Sequence, residues 1–433
     1  MDDLLIKNGR LIDPANSMDA KMDILVSKDK IVTIAPKISA KAKTTIDANK
    51  LWVTPGLIDI HVHFREPGYE YKETIESGSK SAAAGGFTSV VAMANTNPVN
   101  DCAQVTEFIL EKANNTAVIN VHTVGAVTKG IKGEALAEIG EMAKAGVVAL
   151  SDDGKCLMNP GLLRDAMEYA SMFDLVILEH AEDQSLCGKW SINEGRTSNR
   201  LGLVGAPAAG EDSIIARDIT LSKYLNIPIH FCHVSTAGSV DLIRQAKKQG
   251  VLVTAEATPH HFTLTEDAVG SYDTNCKMAP PLRSKSDVTA IIGGLMDGTI
   301  DCIATDHAPH NVVEKEVEFD CAAFGIVGLE TAVPLAMSLV NDGHMKPSDL
   351  IGSLSSKPAK TLNLSGGSLD IGSQADITII DPELEWIVEP SKFATKGRNT
   401  PFGGKRMRGR AVVTIVKGRV VYKFNGKDID SDE

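Results

Sequence analysis

The sequence lacks the features that mark secreted, membrane-spanning and nucleotide-binding proteins. Its seven cysteines are scattered and form no Cys-x-x-Cys pair, which is typical of reduced thiols in a cytoplasmic protein. No apolar run is long enough to cross a bilayer, and the acidic start MDDLLIKNGRL predicts no signal peptide. No Gly-x-Gly-x-x-Gly or P-loop motif occurs, so the sequence predicts no glycine-rich phosphate site.

Positive charge is also scarce. The chain has 44 Lys and Arg against 56 Asp and Glu, a formal net charge of −12 at pH 7. This balance argues against a nucleic-acid or anionic-membrane partner and favours a small-molecule substrate. If that substrate is an anion, a metal ion or a well-placed arginine must make the site locally positive.

The hydrophobic pattern divides the 433 residues into three parts. Residues 1–54 and 365–433 show short strands between Gly, Asp and Asn turns, and neither part alone has enough strands for a core. Residues 55–364 alternate strands with helices that end at glycine. About eight such units over roughly 300 residues are what a (β/α)₈ barrel requires. The predicted barrel strands are 57–64, 88–95, 119–126, 146–153, 175–182, 227–234, 251–261 and 300–308.

We therefore predict an α/β protein, a TIM barrel with a small β-sandwich domain built from both chain termini. A doubly wound open sheet is the alternative, but it would be expected to carry a glycine-rich phosphate loop after an early strand.

Two histidines in the stretch PGLIDIHVHFREPG carry the strongest chemical signal. His61 and His63 point to the same side of a predicted strand, and imidazoles with this spacing can bind one metal ion. The alternative is two partly buried histidines satisfied by hydrogen bonds. Other polar residues, however, also lie at carboxyl ends of predicted strands, where TIM barrels carry their active sites. These are Asn95, Asp152, Asp153, His180, His233, Asp306 and His307.

Four imidazoles with carboxylates suit Zn²⁺, with Co²⁺, Mn²⁺ or Fe²⁺ as lesser options. Six ligands are too many for one tetrahedral ion, so we predict two ions bridged by a carboxylate and a hydroxide. Asp152 and Asp153 point to opposite faces of the predicted strand, and the residues alone do not show which of them would bind the metal ions. His230 has the opposite parity to His233 and is predicted to be an interior residue. His260 and His261 are expected to support the site through hydrogen bonds.

The motifs HVHFREPG, SDDG, LEHAED, CHVST, ATPHHF and ATDHAPH, followed by FGIVGLET, resemble the dihydroorotases of the amidohydrolase superfamily. The class I bacterial type is the most similar, and the resemblance covers nearly the whole chain. It implies that His61, His63 and Asp306 hold one zinc ion and His180 and His233 a second. Asp153 and a hydroxide would bridge the two, with Lys155 as the fallback bridge.

The resemblance also implies the reaction, the reversible cyclisation of N-carbamoyl-L-aspartate to L-dihydroorotate in pyrimidine biosynthesis. Asp306 would be the general acid and base. The substrate would be held by Arg65, Asn95, His310, Phe324 and Gly325. Arg65 suits a carboxylate because its guanidinium can bind one through two hydrogen bonds.

Two departures from the family pattern concern the substrate. Ala279 stands where relatives carry an asparagine that contacts the ring, which puts one ring contact in doubt. Ala323, just before Phe324, stands where relatives usually have a proline. The segment 311–327, which contains it, is predicted to be a mobile lid, with a solvated surface loop as the alternative.

Two other functions remain open. One is a related hydantoinase or allantoinase, which would need no clamp for a ring carboxylate. The other is an inactive paralogue that serves as a scaffold, for instance for aspartate carbamoyltransferase. Such paralogues typically lose metal ligands, whereas every proposed ligand position is filled here. The resemblance also implies a homodimer.

Overall fold

The computed structural model describes residues 2–424; Met1 and residues 425–433 of the predicted C-terminal part lie outside the described residues. The strands are β1 (Asp2–Asp13), β2 (Met18–Ser27), β3 (Lys30–Ala35), β4 (Ala42–Asp47), β5 (Trp52–Pro55), β6 (Leu57–Val62), β7 (Phe87–Ala92), β8 (Asn120–Thr123), β9 (Ile177–Glu179), β10 (Ile192–Asn193), β11 (Gly205–Ala206), β12 (Ile229–Phe231), β13 (Val253–Ala257), β14 (Cys302–Ile303), β15 (Ile377–Ile387), β16 (Arg406–Val416) and β17 (Arg419–Lys423).

The helices are α1 (Ile75–Gly85), α2 (Ala103–Thr116), α3 (Ile139–Ala145), α4 (Pro160–Ser171), α5 (Gln184–Cys187), α6 (Arg196–Leu201), α7 (Ala208–Leu225), α8 (Ala237–Lys248), α9 (Pro259–Thr263), α10 (Lys285–Asp297), α11 (Val312–Lys315), α12 (Ala332–Asn341), α13 (Pro347–Leu354) and α14 (Ser356–Thr361). Between residues 2 and 424, no helix combines the length and hydrophobicity that a bilayer crossing requires.

Both chain ends contribute to one small β-domain. Its sheet has the order β17-β16-β15-β5-β1-β2-β3, with β4 beside β1. The ends join where β5 pairs antiparallel with β15. An isolated antiparallel β-bridge joins Lys30, at the start of β3, to Gln374, just before β15. The sheet packs around a core that includes Ile6, Ile24 and Ile379. The predicted β-sandwich domain from both termini is therefore confirmed, with its strands joined in a single continuous sheet.

The middle of the chain closes into a parallel barrel, as predicted. β6, β7 and β8 form one ladder, and β9, β12, β13 and β14 form another. Leu150 joins the two ladders by bridging Gly125 on one side and Ile177 on the other. Val62 bridges His307 and closes the ring. The predicted fourth strand, 146–153, is present only as these isolated bridges around Leu150.

Capping residues fix where the barrel helices begin and end. The Thr74 side chain accepts from the Ser77 N–H at the start of α1, and Gly86 ends that helix with φ 94°. Such left-handed positions favour glycine because it has no Cβ. The predicted strand 251–261 was too long because Pro259 begins α9, with Thr258 as its N-cap. His260 and His261 therefore lie on a helix.

The barrel and the β-domain meet at Gly56, which separates β5 from β6. A Cβ atom at this position would lie 2.0 Å from the Thr88 hydroxyl oxygen, so only glycine allows the two domains to approach this closely. The domain boundaries at 54/55 and 364/365 stay predictions.

Candidate metal centre and substrate pocket

Six side chains from five strand positions converge at the carboxyl end of the barrel. Asp153 Oδ1 lies 3.3 Å from His61 Nε2, 3.4 Å from His233 Nε2 and 3.6 Å from His180 Nδ1. All six are buried. We call them the histidine–aspartate cluster: His61, His63, Asp153, His180, His233 and Asp306.

Asp306 lies on the side of this cluster nearest the first strand. Its Oδ1 is 2.9 Å from His63 Nε2 and 3.6 Å from His61 Nε2. Since β14 ends at Ile303, Asp306 is presented by the turn that follows the strand rather than by the strand itself. The structure thus brings together all the residues that the sequence proposed as metal ligands.

The backbone is strained where the strands turn into the site. Asp306, His233 and Arg65 have φ values of 46°, 32° and 60°, in the region that side chains with a Cβ rarely adopt. Each such residue costs about 1–3 kcal/mol, and strain of this kind concentrates at functional sites. These three conformations direct a carboxylate, an imidazole and a guanidinium towards one opening.

Charge within the cluster stabilises ionised carboxylates. Burial raises the pKa of Asp153, but His61, His180 and His233 outweigh it and hold that pKa well below its usual value. Burial likewise raises the pKa of Asp306, and His61 and His63 reverse the shift. The carboxylates are therefore available as anionic ligands at neutral pH.

The donor set fits divalent metal ions. His61 Nε2, Asp153 Oδ1 and His233 Nδ1 are buried and have no hydrogen-bond partner among the described residues. Unpaired buried polar atoms are unfavourable unless something binds them. Two overlapping groups have ligand atoms within 4.8 Å of one another, His61 with His63 and Asp153, and Asp153 with His180 and His233. Asp153 belongs to both of these groups.

The neighbouring candidates face elsewhere. Asp152 accepts hydrogen bonds from the N–H groups of Val127 and Thr128 and from the Thr128 hydroxyl. Lys155 donates to the Ile131 carbonyl. His261 contacts the Pro280 carbonyl oxygen through Nε2 at 3.0 Å, away from the cluster. Of the two neighbouring aspartates, Asp153 faces the histidines and Asp152 faces away from them.

Asn95 lies among the proposed metal ligands. Its Oδ1 accepts from His63 Nδ1 at 2.9 Å, and its Nδ2 donates to Asp153 Oδ2 at 3.3 Å. Both ends of the amide therefore contact members of the histidine–aspartate cluster, and Asn95 also lines the pocket. Its predicted contact with substrate stays a prediction.

Sequence reasoning missed two buried carboxylates in the barrel interior. Asp59 accepts from the Thr305 hydroxyl and the His61 N–H and so ties β6 to the turn after β14. Glu256 lies 2.7 Å from His61 Nδ1. Asp59 could have been found from the alternation of side chains along the strand, which places residue 59 on the same face as His61 and His63. For Glu256 the signal was a lone charge in the otherwise uncharged strand VTAEA.

A cavity of about 260 Å³ opens from the cluster towards the surface. We call its far side the clamp wall, formed by Arg65, His310, Phe324 and Gly325. The His310 Nε2–H donates to the Phe324 carbonyl at 2.8 Å. Burial lowers the pKa of His310 to about 2, and the nearby cation Arg65 acts in the same direction, so the ring is neutral. Met278 and Ala279 line the same cavity.

Arg65 brings a positive charge to this cavity. Its Nε donates to the Pro309 carbonyl at 3.4 Å, and its terminal nitrogen lies 3.4 Å from His310 Nε2. Across residues 2–424, no carboxylate pairs with its guanidinium. A partly buried guanidinium without an anion is suited to bind one from a ligand.

The segment 311–327 is attached to the body of the protein. Lys315 is buried, and its Nζ donates to the carbonyls of Ala323 at 2.7 Å, Gly325 at 3.2 Å and Lys277 at 3.4 Å. Phe319 is buried as well. A solvated surface loop therefore does not describe this segment, whereas its predicted movement as a lid stays a prediction.

The fold and this site together define a cyclic amide hydrolase of the amidohydrolase superfamily. A family model described as Dihydro-orotase-like matches residues 50–239. A dihydroorotase from Syntrophotalea carbinolica is 51% identical and covers 98% of this chain and 99% of its own. One from a Geobacter species (strain M21) is also 51% identical, over 97% and 99%. The chain belongs to the dihydroorotase family, which confirms the resemblance seen in its motifs.

Solved structures agree on the fold. An L-hydantoinase from Arthrobacter aurescens has a TM-score of 0.89 at 28% identity and covers 98% of this chain and 96% of its own. A dihydropyrimidinase from Brevibacillus agri has a TM-score of 0.85 at 22% identity, over 98% and 95%. These similarities confirm the predicted architecture, whereas the higher identity to dihydroorotases favours that family over the hydantoinase alternative.

Proposed function

We propose that this member of the dihydroorotase family interconverts N-carbamoyl-L-aspartate and L-dihydroorotate, the third step of pyrimidine biosynthesis. The observation that carries the proposal is Arg65, which lines the cavity that also holds Asp153 and Asp306. Its guanidinium pairs with no carboxylate in the described part of the chain. Both the substrate and the product carry a carboxylate that the reaction leaves unchanged, and a guanidinium is suited to bind it. Family membership at 51% identity supports the same reaction.

We further propose that the histidine–aspartate cluster holds two zinc ions. His61, His63 and Asp306 would hold the first, His180 and His233 the second, and Asp153 both. The unpartnered nitrogen and oxygen atoms of the cluster support this assignment. Zinc bound there would supply Lewis acidity and lower the pKa of a bound water.

The protein's own residues then have separate tasks. Arg65 binds the substrate carboxylate, and His310, with the backbone at Phe324 and Gly325, encloses it. Asp306 moves the proton. In ring closure its carboxylate takes a proton from the attacking ureido nitrogen and passes it to the side-chain carboxylate oxygen that leaves as water. In ring opening it takes a proton from the attacking water and gives it to the leaving ring nitrogen. Its ionised state within the cluster suits the first of these steps.

The test is turnover of zinc-loaded protein on L-dihydroorotate, N-carbamoyl-L-aspartate, hydantoin and allantoin, with metal content measured on the same sample. We expect activity on the first pair and about two zinc ions per chain. Activity confined to the uncharged rings would favour a hydantoinase or allantoinase. If the protein bound no metal and had no activity, the alternative of an inactive scaffold paralogue would be favoured.

Arg65→Met sharpens this test. We expect KM for L-dihydroorotate to rise about 100-fold, because a charge-assisted pair with a carboxylate is lost, with little effect on any hydantoin turnover. Arg164→Met is the matched control, since Arg164 is an exposed arginine on α4 paired with Glu168. An unchanged KM in Arg65→Met would remove Arg65 from the substrate site.

We also propose a cytoplasmic homodimer, with association with aspartate carbamoyltransferase as a further partner. The family resemblance supports these assignments. Sedimentation of the purified protein, alone and mixed with that enzyme, tests both.

A further inference from the structure

Glu256 lies inside the barrel beneath the histidine–aspartate cluster, and none of the roles above uses it. Its side chain is 1% exposed. Its Oε1 lies 2.7 Å from His61 Nδ1, and its Oε2 lies 3.2 Å from His230 Nε2. The His233 N–H donates to Oε1 at 3.3 Å. Since a buried carboxylate is strongly unfavourable without donors, these contacts hold it in one orientation.

The contacts also fix where the protons are. An ionised carboxylate only accepts hydrogen bonds, so the two imidazole nitrogens that face Glu256 must each carry a hydrogen. His61 is then protonated on Nδ1, which leaves the lone pair on Nε2. His230 is protonated on Nε2, and its Nδ1 accepts from the Thr254 hydroxyl at 2.8 Å.

The lone pair of His61 is therefore on the atom that faces the cluster. His61 Nε2 is 3.3 Å from Asp153 Oδ1 and has no hydrogen-bond partner among residues 2–424. In the other tautomer Nε2 would carry a hydrogen and could bind no metal.

We propose that Glu256 is a positioning residue that fixes the orientation and tautomer of His61 for metal binding, and that His230 holds Glu256 in place. The inference rests on the proposed function only in treating His61 as a metal ligand. In metal sites generally, a carboxylate that accepts the second N–H of a ligating histidine strengthens binding, and its loss weakens metal affinity by roughly 10- to 100-fold.

The first test is the zinc affinity of Glu256→Gln, measured by competition with a chromophoric chelator and without substrate. Glutamine has the same shape, but its NH₂ group can turn towards His61 and stabilise the wrong tautomer. We expect zinc affinity to fall at least about tenfold and the absorption spectrum of the cobalt-loaded protein to change. Glu330→Gln is the matched control, because Glu330 accepts from Ser81 and from the Ala394 N–H outside the cluster. Wild-type affinity in Glu256→Gln would overturn the proposal.

A second measurement needs no substitution at Glu256, so it can overturn the proposal even if that variant does not fold. In the zinc-loaded wild type, ¹⁵N signals of the histidine rings should show His61 protonated on Nδ1, identified by the signals missing in His61→Gln. A proton on Nε2 would overturn the proposal. If the tautomer and affinity results hold while the wild type turns over no dihydroorotate, Glu256 keeps its role and the proposed function fails.

Discussion

The two sides of the candidate site are held in different ways. The histidine–aspartate cluster lies at strand ends. The half-buried Asn95 contacts Nδ1 of His63, and the buried Glu256 contacts Nδ1 of His61. The clamp wall lies on connecting segments, and its backbone carbonyls are held by Lys315 and Asn399 from outside the cavity. Metal ligands need to be held rigidly, as residues at strand ends are. A wall that admits and releases a substrate can instead be formed by loops.

The largest effect should come from the cluster side, at Asp306. We expect Asp306→Asn to lose turnover by a factor of about 10³ or more, because an amide cannot accept the proton that the carboxylate would move. Five other cluster members remain, so most of the metal should stay bound. Steady-state kinetics and metal analysis on one sample measure both. Substantial residual activity would contradict the role assigned to Asp306.

The clamp wall should respond more weakly and mainly in substrate binding. In Lys315→Met, the carbonyls of Ala323 and Gly325 lose a donor, and each hydrogen bond contributes about 1 kcal/mol. We expect KM for L-dihydroorotate to rise about tenfold, with kcat changed by less than about threefold. Lys144→Met, at an exposed ion pair with Glu141, is the control. A loss confined to kcat would mean that Lys315 does not act through the clamp wall.

The same variant makes a prediction about pH. Burial, with the nearby Lys277, lowers the pKa of Lys315 from 10.5 to about 7. A lysine whose pKa is depressed on folding contributes stability at high pH and loses it as pH falls through that range. The melting temperature of Lys315→Met relative to wild type should therefore rise as pH is lowered from about 10 to 7. A constant difference across that range would contradict the assigned shift.

The smallest effect on chemistry should come from Asp152, although it is the direct neighbour of Asp153. In Asp152→Asn we expect a loss of about 1 kcal/mol in the free energy of unfolding, since the Thr128 hydroxyl loses a charged acceptor. Metal content and kcat should stay close to wild type. Asp153→Asn is the matched comparison and should lose metal. Equal metal loss in both variants would contradict the division between the two carboxylates.

Strand-end chemistry was predictable because it depends on local periodicity and on one rule about barrels. Each predicted ligand lies near the carboxyl end of a predicted strand, and parallel strands bring these ends together. The histidines are His61, His63, His180 and His233, and the carboxylate is Asp306. Strand lengths were less predictable. The fourth strand is reduced to bridges around Leu150, and the seventh stops before Pro259, because hydrogen bonding between distant segments and helix capping decide where a strand ends.

The sequence by itself determined the class of fold, the family and the residues at the strand ends. These follow from hydrophobic period, spacing and motif, which are properties of neighbouring residues. Only the tertiary structure decided which aspartate faces the histidines and that Asn95 and Glu256 contact their ring nitrogens. It also decided that Arg65 has no anionic partner among residues 2–424. Each of these depends on side-chain direction among segments far apart in the chain, such as β6 and β13, and no local pattern encodes it.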